Sequence, residues 1–330
     1  MRRLLAVWMC GAALSGAPSC ENEARAWRTT AKSPERAVLE QCAVRLASSP
    51  AGAAARLALA VSALEARRFA EVPPILAKVR GQLGQVDDYA AFFLASALAG
   101  MEQHASAIAA LEPVWKQDPV SPVAGRAALL AASAYMSLGK PAAAAQVLEN
   151  HESQLPQPAG AMALGEAWLG AGDLGKAGVN FARVYFGYPQ SAEAARVGAE
   201  WRVKGTPADY LLRIDRSAAG NAGALRTEIL GVAASWTPAE REMALVKTYE
   251  LDYRARRYAA VRQGLAAMRP DSPEADAERS WWLYQTARRM DLDADRQAAF
   301  TRIARHHTAS SRHLDVLLAE GYRLLVDNKY

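Results

Sequence analysis

The sequence predicts an all-α protein, an α-solenoid or superhelix built from antiparallel helix pairs. Apolar residues recur at helical spacing along most of the chain, and one pattern of five positions occurs twice, over 135–156 and again over 168–189. Alanine is abundant and runs of Val, Ile and Thr are rare, so helix propensity agrees with this pattern and no strand is predicted. Because each pair in a solenoid packs only on its neighbours, the length does not require separate globular domains.

The clearest helix pair lies between Pro158 and Gln190. Gly172-Asp173 supplies the turn between its two helices, and Pro189 ends the second helix. Small residues allow the two backbones to approach, and large ones fill the space beside them. The apolar stripe comprises Ala161, Leu164, Gly165 and Trp168 on the first helix and Ala177, Phe181 and Val184 on the second.

The same pattern is present one repeat earlier in the chain, and five matching positions in one register argue against two ordinary hairpins that agree by chance. In this order the residues resemble the tetratricopeptide motif, a helix-turn-helix of about 34 residues. The resemblance implies a stacking unit and no chemistry. The matching residues are Tyr135, Gly139, Ala144, Leu148 and Pro156, at the positions of Trp168, Gly172, Ala177, Phe181 and Pro189.

The segment before Cys20 has the composition of a secretory signal peptide. Met1-Arg2-Arg3 is a short positive region, and the apolar run Leu4–Gly16 that follows it is too short for a permanent membrane span. Ala17-Pro18-Ser19 offers small residues at the −3 and −1 positions for cleavage before Cys20. We therefore predict a signal peptide over 1–19 and export to the periplasm.

Two of the three cysteines remain after this cleavage, and they leave two alternatives open. A terminal Cys20 allows lipid attachment and outer-membrane anchoring, with Cys42 then a free, half-buried thiol, although Ala17 stands where bacterial lipoproteins usually carry Leu. In an oxidising compartment Cys20 and Cys42 could instead form a disulfide. The segment 20–33 is polar and lacks periodicity, so we predict a flexible tether there.

Helical repeats are predicted over 34–204 and again over 237–330. The register between them, over 205–236, is weak, and glycines at 220, 223 and 231 predict an irregular joint. The last predicted helix, Leu314–Val326, is followed by a turn and no partner helix. We therefore expect the second array to be truncated in mid-repeat, the chain to be the front part of a longer protein, and its apolar end to associate or aggregate.

Glu152-Ser153 is the dipeptide that most suggests catalysis, because the catalytic acid of lytic transglycosylases is a Glu followed by Ser. In those enzymes a Gly-Leu-Met-Gln run lies downstream, and this sequence has no such run. Glu152 is expected at the exposed end of a repeat helix, an environment unsuited to a catalytic acid. We therefore predict a structural role for this pair.

Three further groups of functional-type side chains are also better explained by structure. Adjacent histidines point to different helix faces and lack a carboxylate four positions on, so no metal site is predicted. Paired tryptophans are expected to be buried, with one ring possible in a groove where it would stack on sugar. Clustered arginines are typical of a solvated turn. These groups are His306-His307 with His313, Trp281-Trp282, and Arg254, Arg256 and Arg257.

The formal net charge is +5 and the isoelectric point is about 9.1. A basic surface favours anionic partners such as cell-wall polymer, acidic lipid or nucleic acid, but solvated arginine-rich helix faces explain the charge better. The sequence has no Gly-rich phosphate loop, no CxxC and no Ser/His/Asp arrangement. We therefore predict no catalytic, cofactor-binding or metal-binding residue, no cofactor and no nucleic-acid partner.

Two stretches carry a closer resemblance, Ala161–Gly205 and Phe300–Tyr330. Both resemble the N-terminal helical region of soluble lytic murein transglycosylases, and the likeness extends loosely from Leu46 to the end. Membership of that family would imply a periplasmic scaffold that holds peptidoglycan, while a separate C-terminal domain cleaves the glycan with formation of a 1,6-anhydro ring. His306-His307-Thr308 departs from the aromatic and proline usual there, and no catalytic residue carries over.

The sequence thus supports three functional hypotheses. The first is the non-catalytic scaffold region of a periplasmic lytic transglycosylase, with peptidoglycan and its own C-terminal catalytic domain as partners. The second is a free-standing exported repeat protein that assembles envelope proteins. The third is a cytoplasmic repeat adaptor, which requires the segment 1–19 to be retained. A membrane partner is expected only if Cys20 is lipidated.

Overall fold

The computed structural model describes Cys20 and residues 36–79, 82–201 and 203–326. All regular secondary structure in these residues is helical, without a strand, which confirms the predicted all-α class. The signal peptide predicted over 1–19, the tether after Cys20 and the final turn at 327–330 lie outside the described residues.

The chain divides into two compact units, with the division between Asn180 and Phe181. Consecutive helices of the first unit pack on one another, and four such contacts are large: Arg36–Arg45 on Pro50–Glu65, Asp87–Gly100 on His104–Ala110, Ala124–Ser137 on Pro141–Asn150, and Pro141–Asn150 on Ala159–Gly170. The helices that begin in this unit are α1 (Arg36–Arg45), α2 (Pro50–Glu65), α3 (Val72–Leu76), α4 (Asp87–Gly100), α5 (His104–Ala110), α6 (Glu112–Trp115), α7 (Ala124–Ser137), α8 (Pro141–Asn150), α9 (Ala159–Gly170) and α10 (Leu174–Gly187), which crosses the division.

Small residues let the helices of the first unit approach closely. Ala127 and Ala131 on α7 are fully buried in one core cluster with Phe93 of α4. At Gly125 a Cβ atom would lie only 1.8 Å from the carbonyl oxygen of Gln154, so no other residue fits this contact without a backbone shift. The abundance of alanine therefore serves close helix packing as well as helix propensity.

The helix pairs share one turn geometry. Gly139 and Gly172, the turn glycines of the two predicted repeats, have left-handed φ values of 68° and 84°. The N–H of Asp173 donates to the carbonyl oxygen of Trp168 at 2.9 Å, which is the bond that closes a Schellman-type helix end. The same bond and the same left-handed conformation recur at four turns without glycine, centred on Arg67, Glu102, Arg256 and Asp291.

These turns extend the predicted register. The left-handed residues of these six turns are spaced almost evenly, at positions 67, 102, 139 and 172 in the first unit and at positions 256 and 291 in the second, and Gly84 is left-handed outside this series. Each turn joins the end of one helix to the start of the next. A recurring helix-end turn is therefore an observed feature of each unit, whereas tetratricopeptide-like pairs and their stacking into a superhelix stay predictions.

The segment 205–236, predicted to be an irregular joint, is mostly helical. It contains α12 (Pro207–Arg216) and α13 (Ala222–Val232). Thr206 and Asp209 form a capping box at the start of α12, and the fully buried Ile229 anchors α13 in a core cluster. Glycines within α13 meet open space, so they weaken the helix without preventing it. Capping and burial therefore stabilise two helices here despite the glycines, and a joint between two repeat arrays stays a prediction.

The second unit is organised around the helix Pro273–Arg289, which packs against the helices Pro238–Arg254, Tyr258–Ala267, Asp293–His306 and Ser311–Val326. Three charged side chains of this helix, Asp276, Glu278 and Arg279, are almost completely buried, and buried charges require partners. The remaining helices of this unit are α11 (Ala192–Glu200), α14 (Pro238–Arg254), α15 (Tyr258–Ala267), α16 (Pro273–Arg289), α17 (Asp293–His306) and α18 (Ser311–Val326).

Candidate functional site, an arginine-lined cleft

A cleft of about 890 Å³ lies in the second unit, where α15, α16 and α17 come together. Alanine, leucine and methionine side chains form its apolar surface. Its polar surface is dominated by guanidinium groups. The polar lining residues are Arg262, Gln263, Arg269, Arg279, Ser280, Asp295 and Arg302. We refer to this site as the arginine cleft.

Each helix contributes to the arginine cleft in a way that follows from its local structure. Arg262 projects from α15, and its Nε donates to the carboxylate of Asp295 on α17 at 2.6 Å. Arg269 follows the end of α15, and its guanidinium donates to the carbonyl oxygens of Ala266 and Met268. Such bonds satisfy carbonyls that a helix end leaves without partners. The polar side of the cleft is thus formed by side chains from α15, from the residues after its end and from α17.

Asp276 on α16 holds the base of the arginine cleft together. One oxygen of its carboxylate accepts from Arg279 at 2.9 Å, and the other accepts from Arg302 at 2.6 Å and faces Nε2 of His307 at 2.8 Å. Burial alone would raise the pKa of Asp276, but the hydrogen bonds from Arg302, His307 and Arg279 lower it below its usual value. Asp276 is therefore an ionised structural anchor.

The arginine cleft has an excess of positive charge. Four guanidinium groups line or border it, and two carboxylates, Asp276 and Asp295, lie against them, which leaves a net charge of +2. Among the described residues Arg269 forms no ion pair with a carboxylate. The hydroxyl of Ser280 is buried and, within the same part of the chain, has no hydrogen-bond partner. These features suit a bound anion.

The neighbouring buried carboxylates have a structural role. Glu278 accepts from Arg312 at 2.7 Å and from the indole of Trp282 at 2.9 Å, and it pairs with Lys247 at 3.1 Å. Burial would raise the pKa of Glu278, but Arg312 and Lys247 lower it. This carboxylate connects α14, α16 and the start of α18, and its hydrogen-bonding capacity is largely used.

A second buried carboxylate joins α18 to the helices before it. Glu320 accepts from the hydroxyl of Tyr284 at 2.8 Å, from Arg323 at 2.7 Å and from Arg296. Burial opposes ionisation of Glu320, but the bonds from Arg323, Arg296 and Tyr284 prevail and lower its pKa to about 2. Glu320 is therefore a fixed negative charge that ties α16, α17 and α18 together.

None of the candidates named from sequence lines the arginine cleft. Glu152 is exposed on the 3₁₀ turn Glu152–Gln154 after α8, as expected for a structural residue. His306 is exposed, whereas His307 is buried against Asp276 beneath the cleft, so the two adjacent rings do point to different sides. His313 is half-buried and makes no bond to them.

The tryptophan pair is half-buried. Trp282 donates its indole N–H to Glu278, and Trp281 packs in the core cluster of Tyr284 with the guanidinium of Arg312 5.1 Å from its ring centre. Both rings therefore have structural partners. A sugar-stacking platform is not what this arrangement provides.

All three arginines at the end of α14 are exposed, as expected for a solvated turn, and two of them also bind neighbouring groups. Arg254 donates to the carbonyl oxygen of Ile214 at 3.3 Å, and Arg257 pairs with the buried Asp252 at 2.8 Å. Arg256 is the left-handed residue of the turn. Two of the three arginines thus bind the turn to its surroundings.

The two cysteines are paired. Cys20 and Cys42 form a disulfide with their Cα atoms 5.8 Å apart, and both residues are buried. The sequence left open either lipidation of Cys20 or a disulfide with Cys42, and the structure has the disulfide. A sulfur in a disulfide is not available for a thioether to lipid, so the pairing disfavours lipidation at Cys20 and a free thiol at Cys42.

Two other features of the described part of the chain bear on function. Within it, no three His, Cys, Asp or Glu side chains converge in a way that could hold a metal ion. None of its helices combines the length and the apolar composition needed to cross a bilayer. No protein-family model, curated protein or solved structure matches the chain.

Sequence reasoning missed the arginine cleft. Arg262 and Arg302 stand far apart in the chain, and no motif or spacing connects them. The only local signal was the arginine content of α15 and α17, which is also typical of solvated helix faces. The cleft exists because tertiary packing brings these side chains together.

Proposed function

We propose that this chain is a non-catalytic helical scaffold that binds an anionic polymer of the cell envelope, and that the polymer is peptidoglycan. The observation that carries the proposal is the arginine cleft, with a net charge of +2 over a volume of about 890 Å³. Peptidoglycan carries carboxylates on its peptides, and guanidinium groups bind carboxylates through paired, charge-assisted hydrogen bonds.

The carboxylates in the cleft are unsuited to glycoside cleavage. A catalytic acid must be protonated near neutral pH, which requires a raised pKa. Asp276 has a lowered pKa because arginines donate to it, and Asp295 is held in an ion pair with Arg262. In this proposal the chain therefore positions the polymer, and a separate domain performs any chemistry.

The finer proposal is that the chain is the scaffold region of a lytic transglycosylase in the periplasm. It is supported by the resemblance of Ala161–Gly205 and Phe300–Tyr330 to that family. The disulfide between Cys20 and Cys42 fits an oxidising compartment outside the cytoplasm.

Cosedimentation with purified peptidoglycan sacculi tests the proposal. The chain should sediment with the sacculi at neutral pH, and the fraction bound should fall at high salt because the attraction is electrostatic. A variant with both Arg262→Gln and Arg269→Gln should bind more weakly. The control is Arg241→Gln, which removes an exposed arginine of α14 outside the cleft.

Three results would overturn the proposed function. These are no sedimentation with sacculi, equal binding by the double variant, or release of anhydro-muropeptides by the purified chain. The last would show that the chain is itself catalytic.

A second candidate is an exported protein that assembles envelope proteins, and one observation favours it. Helix α18 exposes a row of large apolar side chains, which is typical of a protein-interaction surface. Crosslinking of this face to another envelope protein, without sacculus binding, would favour this candidate over the first. The exposed residues are Leu314, Leu317, Leu318, Tyr322, Leu325 and Val326.

A further inference from the structure

We propose that the arginine cleft recognises a short acidic peptide segment through two of its carboxylates. The inference deepens the proposed function and rests on the chain being a binding scaffold. It specifies the chemical group that the cleft binds, which is the carboxylate of the peptide and not the sugar.

The charge pattern of the cleft supports this choice. Arg262 is neutralised by Asp295, and Arg279 is bound to Asp276 at 2.9 Å. Arg302 donates to Asp276 only through Nε among its described contacts, and its side chain is half-exposed, so its terminal nitrogens are available in the cleft. Arg269 is exposed and bonds only backbone carbonyls within the same part of the structure.

Two guanidinium groups, those of Arg269 and Arg302, thus have donors to spare. Planar guanidinium donors match the geometry of a carboxylate, and two such groups match a ligand with two carboxylates. The cleft has an excess charge of +2, equal in magnitude to the charge of two carboxylates. A ligand of this kind would neutralise it.

The rest of the cleft suits a peptide body. Alanine, leucine and methionine side chains surround the guanidinium groups and offer a narrow apolar surface on which a peptide backbone and its methylene groups can lie. The buried hydroxyl of Ser280 has no partner among the described residues and can pair with a polar group of a bound ligand. A small inorganic anion would leave the apolar surface uncovered.

Calorimetric titration with a defined peptide tests the inference. The probe is an N-acetylated, C-amidated Glu-Ala-Glu peptide, and the matched neutral peptide is Gln-Ala-Gln. The chain should bind the acidic peptide and not the neutral one. Arg269→Gln should weaken binding about tenfold, the effect of one charge-assisted hydrogen bond in a partly exposed site. Arg241→Gln, outside the cleft, should have no effect.

Asp295→Asn is the sharper test, because this variant should bind the acidic peptide more tightly, whereas Arg269→Gln should bind it more weakly. Removing this carboxylate raises the net charge of the cleft and frees Arg262, so the acidic peptide should bind about threefold more tightly. A purely structural role of Asp295 would not tighten binding. Circular dichroism is the control that checks whether both variants retain the helical fold.

The inference is overturned if Gln-Ala-Gln binds equally well, or if Arg269→Gln and Asp295→Asn leave the affinity unchanged. Displacement of the peptide by an equal concentration of inorganic phosphate would also overturn it, since the site would then read any small oxyanion. Sacculus binding that persists without peptide binding removes only this inference. Loss of both removes the proposed function as well.

Discussion

The turn between α9 and α10 offers a clean test of the repeated hairpin geometry. Gly172 has a φ of 84°, a conformation that costs a residue with a Cβ atom about 1–2 kcal/mol. No atom lies within 4 Å of the place where its Cβ would stand, so Gly172→Ala introduces backbone strain without a steric clash. The same substitution removes backbone freedom from the unfolded chain, which offsets about 0.4–1 kcal/mol.

We therefore expect Gly172→Ala to lower the free energy of unfolding by about 1 kcal/mol. The matched control is Gly178→Ala, on the exposed face of α10, where a Cβ also meets open space and no positive φ is required. There alanine should raise the free energy by about 0.5–1 kcal/mol.

Urea unfolding followed by far-UV circular dichroism measures both variants. The midpoint should move in opposite directions at an unchanged slope, since neither change alters the surface exposed on unfolding. A neutral or stabilising Gly172→Ala would refute the left-handed turn. Equal losses in both variants would show that glycine is needed for some other reason.

Three further predictions follow from the same contacts. Glu102 has a left-handed φ of 61°, so Glu102→Gly should remove backbone strain and raise the unfolding midpoint slightly. A lower midpoint would show that the contacts of the Glu102 side chain stabilise the fold more than the backbone strain destabilises it. The pKa of Glu320 falls from 4.5 to about 2 on folding, so about 3 kcal/mol of stability is present above pH 4.5 and is lost as the pH falls toward 2. Glu320→Gln should flatten acid unfolding over that window, and an unchanged pH profile would contradict the assignment. Leu318 is 64% exposed on α18, so the chain should self-associate through this face, and Leu318→Glu should give a monomer in light scattering without loss of stability. A parent chain that is monomeric at every concentration would contradict this.

The helix pairs of the first unit were largely predictable. The spacing of Leu164, Trp168 and Phe181 encodes two amphipathic helices, and the turn glycines at 139 and 172 mark where they join. The equivalent turns at Arg67 and Glu102 have no glycine at the left-handed position, because helix-end hydrogen bonds impose that conformation on residues that do not favour it by themselves.

The segment over 205–236 shows which sequence signals indicate local structure best. Thr206 and Asp209 form a readable capping pattern around Pro207, a residue that suits the first turn of a helix. Those positions predict a helix start, but the glycines downstream weaken the helical pattern that should follow it. Helix caps therefore carried more information here than the apolar register.

The candidate site could not be predicted in the same way. The carboxylate of Asp276 meets Arg279 from its own helix, but it also meets Arg302 and His307, which lie well beyond that helix in the sequence. Only tertiary packing creates that grouping. The sequence indicated a basic protein, and the structure concentrates part of that charge in one cleft.

Methyl NMR of alanine tests the central claim most directly, because the chain is rich in alanine and the cleft is lined by it. With ¹³C-labelled alanine methyls, titration of the Glu-Ala-Glu peptide should shift the signals of Ala259, Ala266 and Ala298 in the arginine cleft. The signals of Ala131 and Ala144, buried in the first unit, should stay unchanged. Shifts spread over both units, or confined to the first, would contradict the assignment of the arginine cleft as the binding site.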